Sequence, residues 1–282
     1  PYLPDTPEVR RDLALYYDEI GRLDHYVGEV LAELERQGQT GRTLVLFLSD
    51  NGRPFPRCKT TLYDSGIKTP LILSWPGRVP EGQRCASLVS SIDIAPTILE
   101  LAGIKPSPTI QGRSFAALLS DPRASIREYA FAEHNWHDYA AFARAARSVR
   151  YKYIRNEDND LPLTPPADAV RSPTFQTMRR LRDEGKLTPE QQACFLRPRP
   201  AEELYDLESD PFELKNLAAS PDHAQVLQTM RRALDEWTRE TEDRKPATLS
   251  PDEFDRETGR PLPGRARPRP PKRPPASGAT KP

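Results

Sequence analysis

The sequence predicts an α/β fold, because helical apolar patterns alternate with short apolar runs that are typical of buried strands. Residues 13–34 place large apolar side chains at steps of three and four, which lines one face of a helix. Residues 43–48 and 70–75 are apolar runs without alternation, as expected for strands covered on both faces of a parallel sheet. Helical spacing returns in residues 92–101 and 221–241. We therefore expect a sheet with helices packed on both sides.

The remaining patterns predict shorter elements between these landmarks. Gly38 provides a stop for the first helix. The shorter elements are helices over residues 114–119, 173–184 and 189–195 and strands over residues 128–133, 144–154 and 203–207. The strand over residues 144–154 contains many Arg and Lys residues, so we expect it to face solvent.

Composition and charge exclude several classes of protein. The 282 residues carry 41 Lys and Arg against 41 Asp and Glu. Basic residues are concentrated in residues 244–282, so the body is mildly acidic and gives no electrostatic reason to expect nucleic-acid binding. The longest apolar run, residues 44–48, is far shorter than the roughly 18 residues of a membrane-spanning helix, so we expect no membrane span.

The loop that follows the first predicted strand carries the main candidate site. Asp50 and Asn51 are adjacent, and Gly52 lets the backbone turn sharply after them. A carboxylate and an amide carbonyl are hard oxygen ligands that suit Ca²⁺ or Mg²⁺. Lys59 lies eight residues beyond Asn51 and could return to the same place, offering a compact positive charge to an oxyanion. A tight turn without a ligand is the alternative for the Asp-Asn-Gly run alone.

Four segments taken in order resemble the C-terminal half of type I sulfatases. They are residues 16–28, 43–52, 59–66 and 70–77, and residues 203–217 resemble the strand and turn near the end of those enzymes. Three shorter matches, at residues 51–56, 172–176 and 237–241, are similar to the heparan N-sulfatase (sulfamidase) branch. The resemblance covers residues 8–243.

The resemblance implies a fold and a domain organisation. The expected fold is an alkaline-phosphatase-like α/β sandwich, of which this chain would supply the C-terminal part of the large mixed sheet and a smaller C-terminal α+β subdomain. Residues 1–125 would complete the catalytic domain, and residues 126–243 would form the subdomain. Residues 244–282 include ten Pro, so we predict an extended, disordered Pro/Arg-rich tail.

The resemblance also implies roles for the loop residues. Asp50 and Asn51 match the acid and amide that complete a calcium site, although Mg²⁺ would also suit them. Lys59 matches the basic catalytic residue that contacts the sulfate of the substrate, a position where animal sulfamidases look to have Arg. The attacking group in the family is the hydrate of formylglycine, made from the Cys of a Cys-x-Pro-x-Arg motif.

No cysteine of this sequence fits that motif. Cys58, Cys85 and Cys194 are followed by other residues, and they are too far apart to indicate a zinc site or a disulfide framework. We therefore expect the formylglycine to belong to an N-terminal half absent from this sequence, and the chain alone to be inactive. Cys58, beside Lys59, is the alternative nucleophile, but a small buried cysteine is the ordinary explanation.

A second candidate site is the acidic and histidine-containing segment at residues 133–138. The sulfamidase-like context suggests that His134 and His137 rim the pocket and contact the sugar, whereas capping of a strand end would explain them equally well. A zinc site is not indicated, because no third potential ligand lies at a suitable spacing. The basic residues are Arg144, Arg147, Arg150, Lys152 and Arg155. They could attract a polyanionic glycan or simply form a solvated strand face.

The leading hypothesis is hydrolysis of a sulfate ester or sulfamate on a glucosamine-type sugar, with a sulfated sugar or glycosaminoglycan as substrate. The alternatives are a phosphodiesterase or phosphonate hydrolase of the same superfamily, and a non-catalytic module that binds a glycan or a partner. The family implies a secreted, periplasmic or lysosomal location, and a homodimer is compatible with the sequence. An isolated half-sheet would expose an unpaired edge and an apolar face, so we expect this segment alone to aggregate or associate.

Overall fold

The computed structural model describes residues 1–264 and begins with a long helix. Helix α1 (Pro7–Arg36) starts with Thr6, whose side chain accepts a hydrogen bond from the Val9 N–H. It ends before Gly38, which adopts a positive φ of 64°. The prediction of this helix is confirmed. Val9 is the only buried residue among its 30 residues, so its apolar face lies exposed.

The two strands predicted within residues 1–125, the first region, pair with each other. Strand β1 (Val45–Leu48) runs antiparallel to β2 (Leu71–Ser74), and Val45 lies opposite Ser74. The prediction of parallel strands buried on both faces is therefore wrong. Within residues 1–264 these two strands form a sheet of their own, and both are half-buried or exposed along their length.

The other helices follow the sequence patterns closely. They are α2 (Asp64–Ile67), α3 (Ile94–Leu101), α4 (Ala116–Ser120), α5 (Ala167–Val170), α6 (Pro173–Asp183) and α7 (Ala224–Glu240). Single 3₁₀ turns lie at Thr40–Arg42, Ser91–Asp93, Gln191–Phe195 and Pro221–His223. The short helices α2 and α5 carry no periodic signal of their own, and the sequence patterns miss them. The helix predicted over residues 189–195 is a 3₁₀ helix over Gln191–Phe195.

A four-stranded antiparallel sheet forms the centre of the second region, which begins at residue 126. Its strands lie in chain order, β3 (Ala130–Trp136), β4 (Ala140–Arg147), β5 (Tyr151–Asn156) and β6 (Glu202–Asp206). The single strand predicted over residues 144–154 is wrong, because a turn at Ser148 divides it. The Ser148 hydroxyl accepts a hydrogen bond from the Tyr151 N–H at 2.9 Å. Helix α7 packs on the sheet, and Leu234 lies in that core beside Tyr153 and Leu204.

The basic residues of β4 and β5 do not face solvent as the sequence suggested. Arg144 is 1% exposed and donates to Asp243 at 2.8 Å, and Lys152 is fully buried between Asp64 and Glu213. These carboxylates are distant in the chain: Asp243 lies 99 residues from Arg144, and Asp64 lies 88 residues from Lys152. Arg147, Arg150 and Arg155 are likewise paired, with Asp64, Asp206 and Asp235. The prediction of a solvated face is therefore wrong for Arg144 and Lys152, whereas Arg150 is exposed, and the prediction of a glycan-binding stripe does not hold for the two buried residues.

The first part of the predicted disordered tail is folded. Asp252 accepts a hydrogen bond from the Ala140 N–H at 2.7 Å, and Arg256 donates to Asp252 and to the Ala140 carbonyl. Phe254 packs beside Tyr139. The prediction of disorder is wrong for residues 244–264, and its remainder, residues 265–282, lies outside the described residues.

The two predicted regions contact each other through the segment that follows Lys59. Tyr63 packs edge-on against Tyr205 and donates to Glu203 at 2.7 Å. The boundary between residues 1–125 and 126–243 stays a prediction. None of the helices within residues 1–264 combines the length and apolar character needed to cross a bilayer.

Candidate functional site

The loop after β1 is shaped by hydrogen bonds that its side chains make to neighbouring backbone carbonyls. The Ser49 hydroxyl donates to the Asn51 carbonyl at 2.8 Å, and the Asn51 amide nitrogen donates to the Gly52 carbonyl at 2.8 Å. These bonds orient the amide and leave its Oδ1 as the atom available to a ligand. Asp50 is exposed and Asn51 is half-buried. The structure thus places both predicted metal ligands at the surface end of the strand.

Two glycines bring this loop against the segment that contains Lys59. The Gly52 N–H donates to the Gly66 carbonyl at 2.8 Å. A Cβ at Gly52 would lie 1.9 Å from the Ser65 carbonyl oxygen, and one at Gly66 would lie 2.4 Å from the Cys58 oxygen. No side chain fits at either position, so both glycines are required by close backbone contact.

The backbone of Lys59 contacts the loop that follows Asn51. Its backbone N–H donates to the Arg53 carbonyl at 3.1 Å, two residues beyond Asn51. Its neighbours Arg57 and Thr60 have positive φ values of 62° and 65°, which side-chain-bearing residues rarely adopt. Lys59 is half-buried, and its ammonium makes no ion pair with any of residues 1–264. An ammonium without an ion pair among these residues is suited to an oxyanion.

The metal-binding capacity of this loop alone is limited. Ca²⁺ takes six to eight oxygen ligands, whereas Asp50 and Asn51 supply two side chains. Residues 1–264 contain no group of three or more His, Cys, Asp or Glu side chains that could hold an ion. The donor chemistry fits a hard cation, and the other ligands would have to come from outside the described residues.

The second predicted site lies next to Lys59 in space. His134 and His137 line a small hollow together with Thr60, the residue that follows Lys59. Arg199 and Arg256 line the same hollow. The fold therefore brings the histidines of β3 and the loop beyond it to the segment that carries the lysine.

His134 is held in its neutral form. Burial, with the nearby charge of Arg199 as the next contribution, lowers the pKa of His134 to about 4. Its Nε2 is buried and has no hydrogen-bond partner among the described residues. His137 is more exposed, and its Nδ1 lies 3.2 Å from an Asp138 oxygen. A buried ring nitrogen without a partner is expected to meet a polar group that enters the hollow.

The sequence interpretation missed the two arginines of this hollow. Arg199 donates from Nε to the Leu161 carbonyl at 2.9 Å and from Nη1 to Asn156 at 3.1 Å, and burial lowers its pKa. Arg256 is held by Asp252, with nitrogen–oxygen distances of 2.7 and 2.9 Å. Neither arginine has a local motif, and Arg256 lies in the segment that composition had marked as disordered.

Two of the three cysteines occupy ordinary packing positions. Cys58 is fully buried, with its sulfur 3.6 Å from the Tyr2 hydroxyl and 3.5 Å from Arg53 Nε. Cys194 is also buried, and burial raises its pKa to about 12. Cys85 is exposed, and all three thiols are free. The burial of Cys58 favours the packing interpretation over the nucleophile.

The fold and the loop after β1 define an α/β protein of the alkaline-phosphatase-like class. Comparison with solved structures agrees. A protein solved in complex with its substrate D-glucosamine-2-N,6-O-disulfate superposes with a TM-score of 0.62 at 19% identity, over 80% of this chain and 40% of that one. This likeness shows the fold, and it confirms the predicted fold class.

Family models and curated relatives identify the family. The Sulfatase model matches residues 2–104, and the model for the C-terminal part of N-sulphoglucosamine sulphohydrolase matches residues 57–161. An ulvan-active sulfatase of Formosa agariphila is 41% identical over 239 residues, 84% of this chain and 40% of that protein. Human N-sulphoglucosamine sulphohydrolase is 36% identical over 269 residues, 89% of this chain and 52% of that protein. The chain belongs to the sulfatase family, and it spans about half the length of these relatives or less.

Proposed function

We propose that this chain is part of a sulfatase that hydrolyses a sulfate ester or a sulfamate on a glucosamine-type sugar. The observation that carries the proposal is the convergence of three features within family-matched residues. The loop of Asp50 and Asn51 is hydrogen-bonded to the segment that carries Lys59, and Thr60 of that segment lines the histidine hollow. The enzyme class follows from the sulfatase match, and the sugar follows from the sulphoglucosamine model, which covers Lys59 and both histidines.

The loop residues have distinct roles in this proposal. Asp50 and the Oδ1 of Asn51 would supply part of the coordination of a Ca²⁺ ion, and Mg²⁺ is the alternative. When bound, the ion would polarise a sulfate oxygen and stabilise the charge that develops on it. Lys59 would donate hydrogen bonds from its ammonium to a second sulfate oxygen, where the charge grows as the nucleophile attacks sulfur.

The nucleophile would lie outside this sequence. No cysteine here begins a Cys-x-Pro-x-Arg motif, and the chain spans 40% and 52% of the two relatives described above. We propose that a longer protein supplies the formylglycine and the remaining metal ligands. The described chain would then contribute one wall of the active site rather than the whole of it.

The hollow beside Lys59 would hold the sugar. The neutral His134 can exchange a hydrogen bond with a sugar hydroxyl through Nε2, which has no partner among the described residues. His137 lies at the more exposed side and would contact the ring edge. Arg199, buried and only partly satisfied by Leu161 and Asn156, would favour an anionic substituent.

The substrate class is tested by measuring sulfate release from matched sugars by the full-length gene product. We expect turnover of N-sulfoglucosamine or 6-O-sulfoglucosamine to exceed that of a sulfated ulvan oligosaccharide. Turnover confined to ulvan would keep the sulfatase assignment and remove the glucosamine assignment. Phosphonate ester hydrolysis without sulfate release would favour the phosphonate hydrolase alternative, and binding of sulfated glycan without any turnover would favour the non-catalytic module.

A further inference from the structure

A buried turn from the second region holds the segment that carries Lys59. Glu213, which is 1% exposed, accepts a hydrogen bond at Oε2 from the Asp64 N–H at 2.6 Å. The carbonyl of Phe212 accepts from Arg57 Nη1 at 2.9 Å, and the carbonyl of Glu213 accepts from Arg57 Nη2. The segment is therefore fixed at residue 57 and at residue 64, with Lys59 between the two anchors.

The turn is itself rigid. Asp210 accepts hydrogen bonds from the backbone N–H groups of Leu214 and Lys215 at 2.7 and 2.8 Å. Glu213 has a positive φ of 56°, and its N–H donates to the Asp210 carbonyl at 3.1 Å. A residue held in a rarely populated backbone conformation persists only where its surroundings determine it. The surroundings here are the contacts with Arg57 and Asp64.

The segment between the anchors is strained in the same way. Arg57 and Thr60 both have positive φ values, and Arg57 stacks 3.8 Å from the ring centroid of Tyr63. Two left-handed residues on either side of Cys58 and Lys59 set the direction in which the lysine leaves the backbone. Without the bonds to Phe212 and Glu213, this segment would relax towards more common backbone conformations.

Paired charges keep the Glu213 carboxylate in place. Lys152, fully buried, lies 3.0 Å from Glu213 Oε1 without the alignment of a hydrogen bond, and it also pairs with Asp64. Burial raises the pKa of Glu213 against the opposing charge of Lys152. Burial also acts to raise the pKa of Asp64, but Arg147 and Lys152 outweigh it and lower that pKa to about 2.

We propose that Glu213 is a positioning residue for Lys59, because its carboxylate holds the Asp64 N–H while the backbone carbonyls of Phe212 and Glu213 hold the Arg57 side chain. The inference rests on the proposed function for the role of Lys59. It adds that the direction of the Lys59 side chain is set by the turn at residues 210–214 rather than by the loop that contains Lys59. Misplacement of a reacting group by about 1 Å is enough to cost on the order of 100-fold in rate.

The test is a double-mutant cycle on sulfate release by the full-length gene product. We expect Glu213→Ala to lower kcat/KM by about 10- to 100-fold. In a Lys59→Ala background the same change should cost about twofold or less, because Glu213 acts through the lysine and the two losses are not additive. Glu213→Gln, which keeps an acceptor for the Asp64 N–H, should recover part of the loss. Glu202→Gln is the matched control, since Glu202 on β6 pairs with Arg231 on α7 and its hydrogen bonds to Arg231, Tyr153 and Asn216 do not involve residues 57–66.

The outcomes separate this inference from the proposed function. Additive losses from Glu213→Ala and Lys59→Ala would overturn the positioning role and leave the function standing. Full activity of Lys59→Ala would instead remove the function assigned to the site. Amide hydrogen exchange gives a readout without activity: residues 58–66 should exchange faster in Glu213→Ala than in Glu202→Gln. Equal exchange in these two variants would also overturn the inference.

Discussion

The two regions of the described chain differ in where their apolar side chains lie. In the first, helix α1 exposes Val30 by 69%, and strand β2 exposes Ile72 by 58%. In the second, six of the eight residues of β4 are buried, and α7 covers the sheet with Leu234 fully buried. The first region buries a small cluster of Tyr2, Phe55 and Cys58 but leaves most of the apolar side chains of α1 and β2 exposed, whereas the second buries those of β4 and α7.

This difference indicates where each region obtains its stability. Burial of apolar surface is the dominant favourable contribution to folding, and large exposed apolar patches on soluble proteins mark interaction sites. The second region has a core of its own. The first region presents α1, β1 and β2 as surfaces that need to be covered, which agrees with a chain spanning about half of its relatives.

The largest expected effect is on the free energy of unfolding when an apolar side chain is truncated in each region. Leu234→Ala removes a fully buried side chain from the contact between α7 and the sheet and should lower the free energy of unfolding by about 2–5 kcal/mol. Val30→Ala, on the exposed face of α1, should change it by less than about 0.5 kcal/mol. Urea unfolding followed by circular dichroism measures both. Equal losses would mean that α1 is covered as well as α7 is.

A smaller effect is expected on self-association. The chain expressed alone should associate through the apolar face of α1, and Leu23→Glu with Tyr26→Glu should shift it towards monomer because charges on that face oppose burial. Leu196→Glu is the matched control in the second region, where the leucine is also exposed. Sedimentation velocity distinguishes the species. A monomeric wild-type chain that unfolds cooperatively would contradict the expectation.

The smallest effect concerns pH and the hollow of the second region. The pKa of His134 is lowered to about 4 in the folded protein from an ordinary value of 6.5, so the native state favours the neutral ring. The resulting stability is present above pH 6.5 and is lost as pH falls towards 4. His134→Gln should therefore narrow the drop in Tm between pH 7 and pH 4 by a few degrees. His25→Gln, on the exposed surface of α1, serves as the control.

Local patterns predicted most elements, because the spacing of apolar residues along a helix lies within the sequence of that helix. The spacing in α1, α3, α6 and α7 required no knowledge of distant residues. The family resemblance, which rested on short motifs in a fixed order, was confirmed by the family models and the curated relatives. Some expectations failed locally, as at the turn that divides residues 144–154, and the others depended on contacts between distant segments.

The charged residues show this limit most clearly. Arg144 and Lys152 were expected in solvent because their own strands are basic, yet Asp243 and Glu213 meet them from far along the chain. Arg199 and the folded segment at Arg256 were missed for the same reason. The candidate loop at Asp50 was predictable because glycine, acid and amide are adjacent, whereas the turn that holds Lys59 was visible only in the fold.

The most direct test of the account measures sulfate release by the full-length gene product over a series of Ca²⁺ concentrations. We expect Asp50→Ala to raise the Ca²⁺ concentration for half-maximal rate by about tenfold or more, since loss of a group that merely supports a metal ligand already has that effect. Asp222→Ala, which removes an exposed carboxylate at the start of α7, should leave the curve unchanged. Coincident curves for wild type and Asp50→Ala would contradict the assignment of this loop as a cation site.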